Sequence, residues 1–187
     1  MTTASVSGKQ ALAYAVAGAA ALGTPAFAQA DFSGPYDHAN WTFTQAGDSS
    51  FSANLTTLVL NGSKDGTTLN ATTTYEIAAD ASGVVSFDWD YASTDSLNWD
   101  YAGFTLNGVF STLAFNSTTG NGSFSTSVSA GDIIGFFVLS QDSKDGPGVL
   151  TISNFSGPVA VPEPGSLGLI ALGTVGGVLG FRRRRRD

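Results

Sequence analysis

Between positions 31 and 160 apolar and polar residues alternate with a period of two rather than 3.6, the pattern of strands with one face buried and one in water. From Gly83 onward, Val85, Phe87, Trp89 and Tyr91 alternate with Ser86, Asp88 and Asp90. Ala71, Thr73, Tyr75 and Ile77 are set against Thr72, Thr74 and Glu76, and Phe124, Thr126 and Val128 against Ser123, Ser125 and Ser127. Each run predicts a half-buried strand, with Phe87 and Trp89 in the core. Ile133 to Leu139 is apolar on both sides, which predicts a central strand covered on two faces, and Val149 to Phe155 predicts the last strand. Asn107-Gly108, between Phe104-Thr105-Leu106 and Val109-Phe110-Ser111, predicts a tight hairpin. Asn61-Gly62 and Asn121-Gly122 carry the same expectation. With about eight to ten strands, the fold class is all-β, a jelly-roll-like two-sheet sandwich over residues 31 to 160.

Two stretches break this period, and they predict the only helices, at 9 to 22 and 166 to 181. Lys9, an apolar run from Ala11 to Leu22 and Thr24-Pro25-Ala26-Phe27-Ala28 have the layout of a secretory signal peptide over residues 1 to 30. Small residues at the spacing a signal peptidase reads place the cut after Ala28 or Ala30, following export through the Sec machinery. At the other end, residues 165 to 181 form an uncharged run of 17, the short end of the roughly 17–25 residues that cross a bilayer. Arg182, Arg183, Arg184, Arg185 and Arg186 follow directly. Five cations there predict a cytoplasmic stop-transfer signal, with the body facing outward.

Ahead of that run stands Val161-Pro162-Glu163-Pro164. Proline on both sides of Glu163 removes two backbone donors and favours an extended, accessible peptide. Taken in order, Pro-Glu-Pro, an apolar Gly-rich span and a terminal arginine cluster resemble the PEP-CTERM sorting signal of Gram-negative bacteria, a tail class also named the ice-binding protein C-terminal domain. The resemblance covers residues 161 to 187. It implies recognition by an exosortase near Pro-Glu-Pro, transient residence in the inner membrane, and delivery to the cell surface or the exopolysaccharide (biofilm) matrix. The order of segments from Phe87 to Phe155, from FDWDY to GVLTISNF, is similar to a β-sandwich module of bacterial surface proteins.

Charge sharpens the picture of the body. It holds thirteen carboxylates against Lys64 and Lys144, a net charge of −11 where the whole chain has −7. Such a surface repels phosphate backbones, so nucleic acid is excluded as a partner. Cysteine is absent, which removes disulfides, thiolate nucleophiles and thiolate metal sites. Both lysines lie in the tetrapeptide Ser-Lys-Asp-Gly, at 63 to 66 and 143 to 146, and Asp-Gly there reads as a turn.

Catalytic chemistry finds little support. The only histidine, His38, sits close to the expected mature N-terminus as a surface polar residue, a poor place for the base of a triad. Asp88 and Asp90 share one strand face about 6–7 Å apart, which reads as an acidic stripe before it reads as a glycosidase pair. No cofactor is expected beyond calcium, which suits hard Asp oxygens at Asp88, Asp90, Asp95 and Asp100, or at Asp142 and Asp145, although no EF-hand spacing occurs. Among the aromatic residues able to stack on sugar rings (Trp41, Trp89, Trp99, Tyr91 and Tyr101), Trp99 and Tyr101 are the ones expected to be exposed, in a loop region from Asp95 to Gly103. The expected function is an exported, non-enzymatic surface or matrix protein. The alternative is a surface module that binds carbohydrate, ice or calcium.

Overall fold

The computed structural model describes residues 26–95, 99–115 and 119–161. The expected helices at 9–22 and 166–181, the Pro162-Glu163-Pro164 motif and Arg182 to Arg186 lie outside those residues. Among the described residues no helix is long and apolar enough to cross a membrane.

Among the described residues eleven strands form two antiparallel sheets. The first sheet holds β3 (Ser50–Asn54), β4 (Thr57–Asn61), β11 (Val149–Ala160), β6 (Gly83–Ala92) and β9 (Thr119–Val128) in that order, with β1 (Ala26–Ala30) also paired to β11. The second runs β2 (Thr42–Thr44), β5 (Ala71–Ala78), β10 (Ile133–Ser140), β7 (Asp100–Leu106) and β8 (Val109–Ala114). Two 3-10 turns, Gly34–Tyr36 and His38–Asn40, precede β2. The chain crosses between sheets at almost every connection, so the all-β sandwich expected from the alternation is what forms.

The inward set of each strand builds the core. Leu58 and Leu60, Val85, Phe87 and Tyr91, and Leu150, Ile152 and Phe155 come from the first sheet. Tyr75 and Ile77, Ala102 and Phe104, and Ile134, Phe136 and Val138 come from the second. Every such ring or branched chain removes apolar area from water, at about 25 cal/mol per Å². Phe87 is 2 % exposed, whereas Trp89, expected beside it in the core, is only half-buried. Its ring lies along β9, where side chains on Gly120 and Gly122 would come within 3.3 Å of it. β10 is the central strand of its sheet, as its two-sided apolar run predicts. Phe137, on its outer face, is covered by Phe110 at 4.7 Å between ring centroids.

Other expectations are corrected. Asn107-Gly108 closes the β7–β8 hairpin with φ of 51° and 77°. Asn61-Gly62 instead ends β4, and Asn121-Gly122 lies inside β9 opposite Asp90 and Trp89. Neither is a hairpin turn, because the neighbouring segments pair with other strands. The N-terminal stretch is not a loose end: Phe32, Tyr36 and Trp41 are buried, and His38 is pinned, with Nε2 donating to the Asn54 carbonyl at 2.8 Å and Nδ1 3.0 Å from the Tyr75 hydroxyl. Trp41 stacks on Tyr75 at 5.0 Å and donates its indole N–H to the Tyr36 carbonyl at 3.0 Å. It is a core residue and is closed to a ligand.

Candidate functional site

On a strand, residues directly opposite one another in the ladder share a face, so the pairing register shows what each outer face carries. On the first sheet, Asp88 stands opposite Ser123 on one side and Ser153 on the other, and Asp90 opposite Asn121 and Thr151. This outer face is a field of small hydroxyl, amide and carboxylate groups. A depression of about 320 Å³ opens there, lined by Ser86, Phe87, Asp88, Ser123, Phe124, Ser125 and Asn154. Asn154 is the product of local strain. The register of β11 shifts between Ser153 and Ser156, and Asn154 takes φ of 49° at that bulge, which aims its amide Nδ2 onto Asp88 at 2.7 Å. The Ser123 hydroxyl donates to the other carboxylate oxygen. These two donors, Ser123 first, hold the Asp88 carboxyl below its ordinary range. It is therefore a fixed acceptor at neutral pH.

The second sheet presents the aromatic face. β7 begins at Asp100, so Tyr101 is on a strand rather than in the loop expected from Asp95 to Gly103. Tyr101 stacks on Phe115 with centroids 5.1 Å apart and planes 20° apart. Its hydroxyl accepts from Gln141 Nε2 at 2.9 Å. Gln141 is also tied through its backbone N–H to the Trp99 carbonyl at 2.8 Å. Phe115 is 60 % exposed and Trp99 41 %. Trp99 is exposed as expected, two residues before Tyr101, and Phe115 is the partner that sequence reasoning missed. No alternation surrounds Phe115, so only the β7–β8 pairing brings it to Tyr101.

The four aspartates considered for calcium separate into two places. Asp88 and Asp90 lie on the outer face just described. Asp95 and Asp100 are each 5 % exposed and face the interior at the end of the sandwich. Burial, joined by the charges of Asp95 and Asp142, raises the Asp100 carboxyl above its ordinary value although the Ser93 and Ser140 hydroxyls oppose this. Tyr91 is raised by burial and by the Asp100 charge. Among the described residues no group of three or more His, Cys, Asp and Glu side chains converges on one metal-sized position. Asp142 and Asp145 lie in the β10–β11 loop, where Asp142 accepts from the Lys144 N–H and the Asp145 carbonyl accepts from Thr94. Both Ser-Lys-Asp-Gly segments meet at this end. Gly66 N–H donates to the Ser143 carbonyl at 2.6 Å, and the Ser143 hydroxyl to the Thr68 carbonyl at 2.6 Å.

Comparison with known proteins bears on the tail and on the body separately. Residues 160–186 match the family model described as the PEP-CTERM protein-sorting motif, and the chain carries that motif. Such a tail implies an exported protein that passes the membrane. No curated protein matches the chain. Solved structures similar to the body include a family 35 carbohydrate-binding module from Clostridium thermocellum, at 12 % identity and a TM-score of 0.39, covering 62 % of this chain and 91 % of that one. The N-terminal cellulose-binding domain of a Cellulomonas fimi β-1,4-glucanase aligns at 11 % identity and a TM-score of 0.38, over 66 % and 90 %. A module described for specific mannan recognition aligns at 15 % and 0.36, over 73 % and 100 %.

Proposed function

We propose that this is a non-catalytic cell-surface or matrix protein of a Gram-negative bacterium, whose β-sandwich binds polysaccharide on its aromatic outer face. Residues 1–30 direct export. The apolar segment 165–181 and Arg182 to Arg186 hold the precursor in the inner membrane, and an exosortase acts at Pro162-Glu163-Pro164. The observation that carries sugar binding is the exposure of Trp99 two residues before Tyr101, which itself stacks on the exposed Phe115. Flat rings at the edge of a sheet offer apolar faces to the C–H surface of a pyranose at little cost in side-chain entropy. The Tyr101 hydroxyl and Gln141 stand at their edge to hydrogen-bond sugar hydroxyls.

Two facts support a non-catalytic reading. His38 has both ring nitrogens engaged within the fold. Asp88 is held ionised by its donors, the opposite of the raised pKa a general acid needs. The body charge of −11 disfavours polyanions and favours a neutral polysaccharide. A glycan array probed with the exported protein tests the reading. Retention on a neutral glycan, reduced at least about tenfold by Trp99→Ala and untouched by Asp88→Ala, is the expected result. Silence across the array, or full retention by Trp99→Ala, refutes it.

A further inference from the structure

The last strand outruns its neighbours. β11 is in register with β4 as far as Ser153 and with β6 as far as Ser156, opposite Ser86. From there to Ala160 its ladder partner among the described residues is β1. Pro158, in this stretch, has no N–H to give. In the sorting reading above, cleavage after Ala28 or Ala30 takes most or all of β1 away. A chain end stays ordered only where something ties it down.

Side chains take over where that ladder ends. The hydroxyl of Tyr36, a fully buried ring, donates to the Pro158 carbonyl at 2.8 Å and accepts the Asp80 N–H at 3.2 Å. Asp80 Oδ2 in turn accepts the Ala160 N–H at 2.7 Å. The strand also lies directly on the Tyr36 ring, since a Cβ on Gly157 would stand 2.6 Å from Tyr36 Cζ. Pro158 packs as closely on Gly83, where a Cβ would come 2.7 Å from the Pro158 Cβ. Tyr36 belongs to the 3-10 turn Gly34–Tyr36 and Asp80 to the β5–β6 loop, so both remain when β1 is removed. Ala160, the point they fix, is two residues before Pro162. Only residues 161–164 separate it from the apolar run that begins at 165, at most about 14 Å of extended chain.

We propose that Tyr36 and Asp80 are positioning residues for the processing of the tail. They clamp the strand that carries the sorting motif to the body, so that Pro162-Glu163-Pro164 reaches the membrane enzyme on a short stem with a fixed origin. Neither residue touches the bond that is cut. Without the clamp the loose stem starts after Ser156, and the chain ahead of the apolar run grows from residues 161–164 to residues 157–164. The enzyme then has to order a longer peptide, which weakens its recognition. This role rests on the sorting reading above and adds to it the part of the body on which cleavage depends.

The test follows the full chain in a host with an intact exosortase, by pulse-chase of the conversion of precursor to processed form. Tyr36→Phe keeps the ring and removes the hydroxyl, and Asp80→Ala removes the acceptor of the Ala160 N–H. Each should slow conversion several-fold. Asp80→Asn keeps an acceptor oxygen and should convert at the wild-type rate. Val138→Ala, buried in β10 of the other sheet, should lower the melting temperature and leave conversion unchanged, which separates the clamp from stability at large. Should Tyr36→Phe fail to fold, Asp80→Ala carries the test, because Asp80 is exposed. Conversion of folded Asp80→Ala at the wild-type rate or faster overturns this role alone, as does equal slowing in Val138→Ala or in Asp80→Asn. A wild-type chain that is never cut in that host overturns the sorting reading and this role with it.

Discussion

Three tryptophans of one chain have three fates, decided by what faces each ring. Trp41 meets Tyr75 and Phe136 face on and Phe155 edge on, Trp89 meets the bare backbone of Gly120 and Gly122, and Trp99 remains 41 % exposed. Trp41→Ala should therefore cost about 3–5 kcal/mol of stability through lost burial and a cavity, and Trp99→Ala within about 0.5 kcal/mol, both read from urea denaturation midpoints. The inward positions of β6 were legible in sequence for Val85, Phe87 and Tyr91 because the alternation states a face. Trp41 was not, since residues 31–41 have no period and Trp41 is buried largely against Tyr75, Phe136 and Phe155 of distant strands. Exposed carboxylates set the acid limb of the stability profile. Asp65 is lowered to about 2, chiefly by the Thr68 hydroxyl and then by the Thr68 and Thr67 N–H groups. A folded pKa below the unfolded one gives stability that is present above about pH 4 and is lost as the pH falls toward 2. Asp65→Asn should flatten that part of a melting-temperature profile taken from pH 2 to 5.

At the scale of elements, backbone conformation decides which turn signals are real. Asn107-Gly108 is a turn because both residues take positive φ and Asn107 also ties the hairpin to the neighbouring β9–β10 loop. Its amide donates to Asp132 Oδ1 at 3.0 Å and its carbonyl oxygen accepts the Ile133 N–H at 2.8 Å. Asn121-Gly122 shares the dipeptide but is drawn into β9 by ten residues of continuous pairing with β6. A local signal yields when the long-range ladder is better satisfied, which is why the presence of strands was readable while some of the ends were not. Strand glycines carry a packing meaning that no periodicity states. A Cβ on Gly103 would lie 2.2 Å from the Ser111 carbonyl oxygen and 2.8 Å from the Phe137 ring. Gly103→Ala should thus push β8 off β7 and cost about 1–3 kcal/mol by overpacking, measured by thermal or urea denaturation. The aromatic face was half legible for the same reason. Trp99 and Tyr101 could be singled out by type and position, while Phe115 joins them only through the β7–β8 pairing.

Over the whole molecule, the topology sets the two terminal segments side by side. β1 runs antiparallel to β11 with Ala26 opposite Ala160, so the chain before residue 26 and the chain after residue 160 leave neighbouring strands at the same end. That arrangement would suit the precursor proposed above, with both apolar segments entering one membrane. Cutting after Ala28 or Ala30 removes most or all of β1, yet β11 keeps its pairing with β4 and β6. The new N-terminus is still held, by the Asp31 N–H on the Phe155 carbonyl at 2.7 Å and the Phe32 N–H on the Leu55 carbonyl at 2.8 Å. The mature body should therefore stay folded, and residues 156–160 lose their β1 partner, leaving an extended strand that leads into Pro162-Glu163-Pro164. Mass spectrometry of the protein from a host with an intact exosortase should find an N-terminus at Gln29 or Asp31 and a C-terminus near residues 162–164. Glu163→Ala should leave a correctly inserted precursor that is poorly processed, whereas replacing Arg182 to Arg186 with serine should disturb retention and orientation instead. A mature species that still ends in Asp187 in such a host would replace the sorting reading with a permanent single-pass anchor.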